Sequence, residues 1–174
     1  MKRYMGLIIV LTCFFSMIFG GGPQFVRSPW VNLNGIWSYT FDFGKSGKQR
    51  GFANSQGFDN KINVPFCPES SLSGVNFKDF IPAMWYHRSL TIPSDWKGKK
   101  IFLHFGAVDY ETEVFIDGKA VGKHCGGTVS FSFDITPFIS VGKAHNLVVY
   151  VLDDIHSGLQ ASGKQCPDFK SRGC

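Results

Sequence analysis

Two glutamates on one short stretch, Glu111 and Glu113, are the residues whose spacing first suggests chemistry. A pair of carboxylates can divide the work of glycoside hydrolysis, one as acid/base and the other as nucleophile. Two positions apart on a strand, they point to the same side at ~6.5–7 Å. Distance is not enough, because the two environments must push the pKa values apart and a sugar must reach both groups. Along residues 109–116 the side chains alternate. Tyr110, Thr112, Val114 and Ile116 fall on one side, and Asp109, Glu111, Glu113 and Phe115 on the other, the period of a half-buried strand. The acidic side of such a strand is expected to be its solvated outer face. Glu111 and Glu113 are therefore expected to be surface carboxylates, not a catalytic pair.

Other catalytic arrangements fare no better. No G-x-S-x-G elbow is present to raise a nucleophilic serine. Gly126-Gly127 is not followed by a helical pattern, so it makes no phosphate cradle. The five histidines (His87, His104, His124, His145 and His156) do not cluster with the cysteines, and no C-x-x-C spacing occurs. No metal site and no cofactor are expected. His124, beside a hairpin, is expected to be exposed. The formal net charge is +5, but Lys and Arg are scattered, whereas a nucleic-acid partner would need them in a stripe.

Short strands must position these residues. The 174 residues hold 18 Phe, 20 Gly and 8 Pro, which suits one domain of aromatic strands broken by turns. Asp117-Gly118 offers the positive-φ pair of a type I′ hairpin, and residues 101–135 form a meander around it. Trp37, Tyr39, Phe41 and Phe43 alternate with Ser38, Thr40 and Asp42. That aromatic face is expected to be core and not a sugar-stacking platform. Residues 44–60 are polar and Gly-rich, an expected exposed loop. Residues 62–68 form an edge strand ended by prolines, residues 69–82 a long excursion, and residues 85–92 another strand. Thr136-Pro137-Phe138 predicts a single helical turn. Residues 146–152 are apolar on both faces and expected to be covered on both.

The ends of the chain carry different signals. Residues 1–22 have a basic start (Lys2, Arg3), an apolar run of about 15 residues and then Gly20, Gly21 and Gly22, the layout of a cleaved signal peptide. The run is short of the ~20 residues that span a bilayer. A secreted or periplasmic protein without a stable membrane span is expected, its domain covering residues 23–174. Cys67, Cys125, Cys166 and Cys174 would then remain, with three possible complete pairings. No Asn-x-Ser/Thr acceptor occurs.

Several blocks, in order and spacing, resemble one family. Leu33-Asn34-Gly35-Ile36-Trp37, Val64-Pro65-Phe66, Trp85-Tyr86-His87-Arg88 and Trp96-Lys97-Gly98-Lys99 open the match. Phe105-Gly106-Ala107-Val108-Asp109-Tyr110, Val114-Phe115-Ile116-Asp117-Gly118 and Gly122-Lys123-His124 continue it. Gly126-Gly127, Phe131-Ser132-Phe133-Asp134-Ile135-Thr136 and Ser157-Gly158-Leu159-Gln160 complete it. Together they are similar to the N-terminal sugar-binding domain of glycoside hydrolase family 2, the β-galactosidase and β-glucuronidase family. The resemblance implies an all-β fold, a jelly-roll β-sandwich of the galactose-binding kind. It also implies a following barrel that holds two catalytic glutamates. None of Glu69, Glu111 and Glu113 stands in an Asn-Glu pair like the family's acid/base motif, so no catalytic residue is assigned to this chain. The resemblance implies a last strand beyond the point where this chain stops, so the expectation is either a domain that completes itself differently or a truncated one, prone to self-association or to pairing with the absent domains.

The implied partner is a carbohydrate, a β-linked galactoside, glucuronide or mannoside. Asp153, Asp154 and Gln160, after the last strand, are the first candidates to touch it, with Trp85 and Asp109 behind them. Each has a plainer reading, turn capping for the aspartates and core filling for Trp85. An accessory domain of a glycosidase, inactive by itself, is the expected function; a stand-alone secreted carbohydrate-binding module is the alternative.

Overall fold

A computed structural model of the chain describes residues 28–155 and 157–159. The expected leader, Gln160, Cys166 and Cys174 lie outside the described residues. The chain divides into two units, Met1–Trp30 and Val31–Cys174, and every described strand belongs to the second.

Eight strands follow one another: β1 (Gly35–Phe41), β2 (Asn60–Val64), β3 (Ala83–Thr91), β4 (Phe102–Phe105), β5 (Glu111–Ile116), β6 (Lys119–Cys125), β7 (Phe131–Asp134) and β8 (Ala144–Leu152). Six form one sheet in the order β2-β1-β3-β8-β5-β6, and β4 pairs with β7 in a second. All the pairings are antiparallel. The expected all-β sandwich is what forms. Lys61 on β2 and Lys119 and Lys123 on β6 mark the two edges of the large sheet, where lysine discourages edge-to-edge pairing.

Alternation explains the core between the sheets. Trp37 and Tyr39 of β1, Val114 and Ile116 of β5, and Leu147 and Val149 of β8 all face inward. They meet Leu103 of β4, with Ile101 and Ile135 beside it. Burying a side chain such as Ile116, with no exposed surface, contributes on the order of 1.5–3 kcal/mol. The aromatic face of β1 is core as expected as far as Phe41. Phe43, beyond the strand end, is 54% exposed.

The hairpin at Asp117-Gly118 has φ of 48° and 76°, the two left-handed positions its turn type needs. Glycine at 118 suits this positive φ, and a Cβ there would also displace the Asn54 side chain, whose Oδ1 would stand 1.8 Å away. The turn at Thr136–Phe138 is a single 3-10 turn with proline at its start, as expected.

The outer face of the large sheet corrects the sequence reading. Residues 44–60 are a loop with most of its residues exposed, as expected, but it lies back on the sheet instead of standing away from it. They carry a 3-10 turn (Phe52–Asn54), and Phe52, Ala53 and Phe58 cover a second apolar cluster of Ala83, Trp85, Phe115, Val148 and Tyr150. Both faces of β8 are thereby covered, as its unbroken apolar run predicts. The same cover buries Glu113 and Phe115 on the outer face of β5, where solvated carboxylates were expected, and leaves Glu111 exposed.

Candidate functional site

The cover is held at its start by Asp42, which is only 3% exposed. Its carboxylate accepts from Ser46 N (2.9 Å), Gly47 N (2.7 Å) and Trp85 Nε1 (2.9 Å). Three donors satisfy the buried acceptor, which is the condition for keeping a carboxylate inside. Gly47 has to be glycine, because a Cβ would lie 2.2 Å from Trp85 Nε1.

Further along the cover, Lys48 reaches across the outer face to Glu113. Lys123 approaches the same carboxylate at 3.5 Å, and Glu113 is 8% exposed while Glu111 is open to solvent. The expectation that both glutamates are solvated fails for Glu113, because a lysine 65 positions away closes over it. The space around the pair, lined by Lys48, Glu111, Glu113, Lys123 and Tyr150 among others, has a volume of about 40 Å³. That is room for water and not for a pyranose. Burial first, then Asp42, Glu111 and Glu113, push the Tyr150 hydroxyl up to about 12, so it stays protonated at neutral pH.

The sequence candidates gather elsewhere, at one rim of the large sheet. There β1, β3 and β8 finish or begin side by side: Asp42 N donates to Ala83 O, and Asp153 N donates to Pro82 O, both at 2.9 Å. On the next strand Tyr110 N donates to Leu152 O (3.3 Å), and Gly126 N donates to Tyr110 O (3.0 Å). The rim thus brings together Asp153 and Asp154 from β8 and Asp109 from the approach to β5. Asp109 is exposed, and its carboxylate lies close over Gly127, where a Cβ would stand 2.3 Å from Oδ1. Asp154 accepts from Lys45 Nζ at 2.6 Å. Trp85 lies one layer below and is completely buried, so the folded domain offers no face of this indole to a ligand.

Several polar side chains not singled out by spacing turn out to be organised. His87 Nε2 meets Asn146 Oδ1 at 3.0 Å, and its Nδ1 meets Ser38 Oγ at 3.2 Å. With the proton on Nε2, Nδ1 accepts from the serine, which in turn accepts from Phe58 N at 3.1 Å. Ser38 and His87 are both buried, so this serine fastens the cover and attacks nothing. His124 is not simply exposed. It stacks on Phe131 at 4.0 Å, and its buried Nε2, like Thr112 Oγ1 on the neighbouring strand, has no hydrogen-bond partner among the described residues. Among the described residues no group of three or more His, Cys, Asp or Glu could hold a metal. Cys67 and Cys125 are exposed and form no disulfide among the described residues.

A family model described as "Glycosyl hydrolases family 2, sugar binding domain" matches residues 50–160. The chain belongs to this family. The match begins in the cover of the outer face and runs to the rim aspartates, so this family 2 domain carries its candidate rim inside the matched stretch. The β-galactosidase of Thermoanaerobacter pseudethanolicus is 36% identical over 76 residues, 44% of this chain and 10% of that protein. The β-glucuronidase of Bacteroides fragilis is 30% identical over 122 residues, 68% of this chain and 16% of that protein. Among solved structures, the β-glucuronidase of Ruminococcus gnavus superposes with a TM-score of 0.63 at 25% identity, covering 73% of this chain and 22% of that one. The Lactobacillus rhamnosus β-glucuronidase gives 0.62 at 28% identity, with 72% and 22% covered. The family 2 chain therefore spans less than a quarter of the length of any of these four proteins.

Proposed function

We propose that this domain is an accessory sugar-binding domain of a β-glycosidase in carbohydrate metabolism, and that it meets a β-linked glycoside at the rim bearing Asp109, Asp153 and Asp154. The observation that carries the proposal is the convergence of these three aspartates on neighbouring strand ends at one rim, in a domain of a sugar-binding family. Carboxylates accept from sugar hydroxyls, and Lys45 beside Asp154 can orient one of them or neutralise an acidic sugar. The galactosidase and glucuronidase relatives make a β-galactoside or β-glucuronide the substrate class to try first.

These residues do not hydrolyse the glycosidic bond by themselves. Glu113 is tied to two lysines, and Glu111 and Glu69 stand exposed. Hydrolysis would depend on residues elsewhere in a longer protein. The basic and apolar start of the chain supports a secreted or periplasmic location. The test is to assay the purified 174-residue chain with 4-nitrophenyl β-D-galactoside and β-D-glucuronide, then measure binding of the methyl glycosides. Binding without turnover is expected and should be lost in Asp154→Asn combined with Asp109→Asn; turnover would overturn the non-catalytic reading. A stand-alone binding module would show the same binding in the secreted, unfused chain.

A further inference from the structure

We propose that Phe43 is the stacking floor of a second sugar subsite at this rim, so that the domain grips an oligosaccharide across two adjacent pyranose units. The inference rests on the reading that the rim binds a glycoside. A pyranose presents a hydroxyl-poor C–H face that packs on an aromatic ring, while its edge hydroxyls need charged or polar partners. Both kinds of surface occur here, on neighbouring strand ends.

The aromatic part is built and held in place. Phe43 sits at the apex of a tight turn that Lys45 N closes onto Asp42 O at 3.0 Å. More than half of Phe43 is exposed. Its ring centroid lies 5.5 Å from that of Phe41 and 6.1 Å from that of Phe77, and Phe41 and Phe77 are 4.8 Å apart. Those separations are the ones aromatic pairs prefer. Phe41 is packed against the core between the sheets, so the exposed ring rests on a fixed base. An exposed aromatic patch bordered by polar groups is how ligand-binding surfaces differ from ordinary ones.

The polar part lies two strands away. The bonds from Asp42 N to Ala83 O and from Asp153 N to Pro82 O set Phe43, Pro82 and Asp153 side by side along the rim. Two strand spacings separate Phe43 from Asp153, ~10 Å, about the length of two linked pyranoses. Lys45, two residues after Phe43, points back to Asp154 at 2.6 Å and joins the two parts. One ring on Phe43 would leave its neighbour within reach of Asp153, Asp154 and Lys45.

Calorimetric titration of the full chain with lactose and cellobiose, against methyl β-D-galactoside and methyl β-D-glucoside, tests this. The disaccharides should bind about tenfold more tightly than the matching monosaccharides. Phe43→Ala should abolish that advantage and Phe43→Trp should keep it, both in a folded domain, with Phe43→Ala lowering the melting temperature only slightly through its lost contacts with Phe41 and Phe77. Unchanged disaccharide affinity in Phe43→Ala overturns the subsite. Monosaccharide binding that Asp154→Asn weakens, with no chain-length advantage, leaves the rim reading intact and sinks this inference alone. Absence of any sugar binding sinks both.

Discussion

Trp85 Nε1 donates to Asp42 Oδ2 at 2.9 Å, a bond wholly inside the domain that ties the centre of the large sheet to the segment covering it. Asp42→Ala would strand that indole N–H together with the amides of Ser46 and Gly47. Each buried donor left unpaired costs about 1–3 kcal/mol, less whatever water regains. A net loss of ~2–4 kcal/mol in urea denaturation is expected. Phe43→Ala, one residue away but more than half exposed, should cost no more than about 1 kcal/mol, from its ring contacts with Phe41 and Phe77. Equal losses for the two would refute the anchoring role of Asp42.

Much of this arrangement is legible in the sequence because it is periodic. Alternation places Trp37, Val114 and Phe133 on strands, the Asp-Gly pair marks the hairpin, and the unbroken run Leu147-Val148-Val149-Tyr150 announces a strand covered on both faces. What covers it is not periodic. Phe52 and Phe58 lie in a polar, Gly-rich stretch, and their burial depends on Asp42 and Trp85, 43 positions apart. The burial of Glu113 depends on Lys48, 65 positions away, and no local pattern carries such a pairing. The three Asp of the rim were nameable because they follow or precede strands; that they share one rim follows from the strand order, which brings β8 beside β5. A weak signal for the cover does exist, an Asp at a strand end followed by Ser46-Gly47, the kind of side-chain-to-backbone turn Asp favours.

Asp117 in the hairpin accepts from His145, at 2.6 Å, and from Asn146 N at 2.8 Å. Burial pushes its carboxyl up, but these two hydrogen bonds and the nearby His145 and Lys119 charges outweigh it, leaving the group below its ordinary 3.8. A carboxyl lowered in the folded state stabilises the fold above its unfolded pKa, and that contribution fades as pH falls through the folded value. Stability followed by urea midpoint from pH 7 to pH 3 should drop below about pH 4, and Asp117→Asn should flatten the drop. Asn tolerates the left-handed turn position, so the hairpin survives. Parallel pH profiles for parent and variant would show that another group governs acid stability.

Thr112 is 1% exposed, with Val114 beside it on the core face, and its hydroxyl has no hydrogen-bond partner among the described residues. Valine has nearly the same shape and no polar atom to desolvate. Thr112→Val should therefore raise stability by about 1 kcal/mol, a shift of roughly 2–8 °C in melting temperature. The opposite sign would mean that the hydroxyl has an internal partner, most simply through water shared with His124 Nε2 across the β5–β6 ladder.

Cys67 follows β2 and Cys125 ends β6, the two outermost strands of the six-stranded sheet. Five strand spacings separate those edges, ~24 Å, whereas the Cα atoms of a disulfide stand no more than ~7 Å apart. Of the three complete pairings of the four cysteines outside the leader, the one that joins Cys67 to Cys125 is closed to a folded monomer. Neither thiol has a disulfide partner among the described residues and both are exposed, so each should alkylate promptly with iodoacetamide in the native, reduced chain. Peptide mapping of oxidised, unreduced monomer should then yield no Cys67-to-Cys125 link. Finding that link in a monomer band would contradict the strand order itself, because only a different arrangement of β2 and β6 could bring the two sulfurs together.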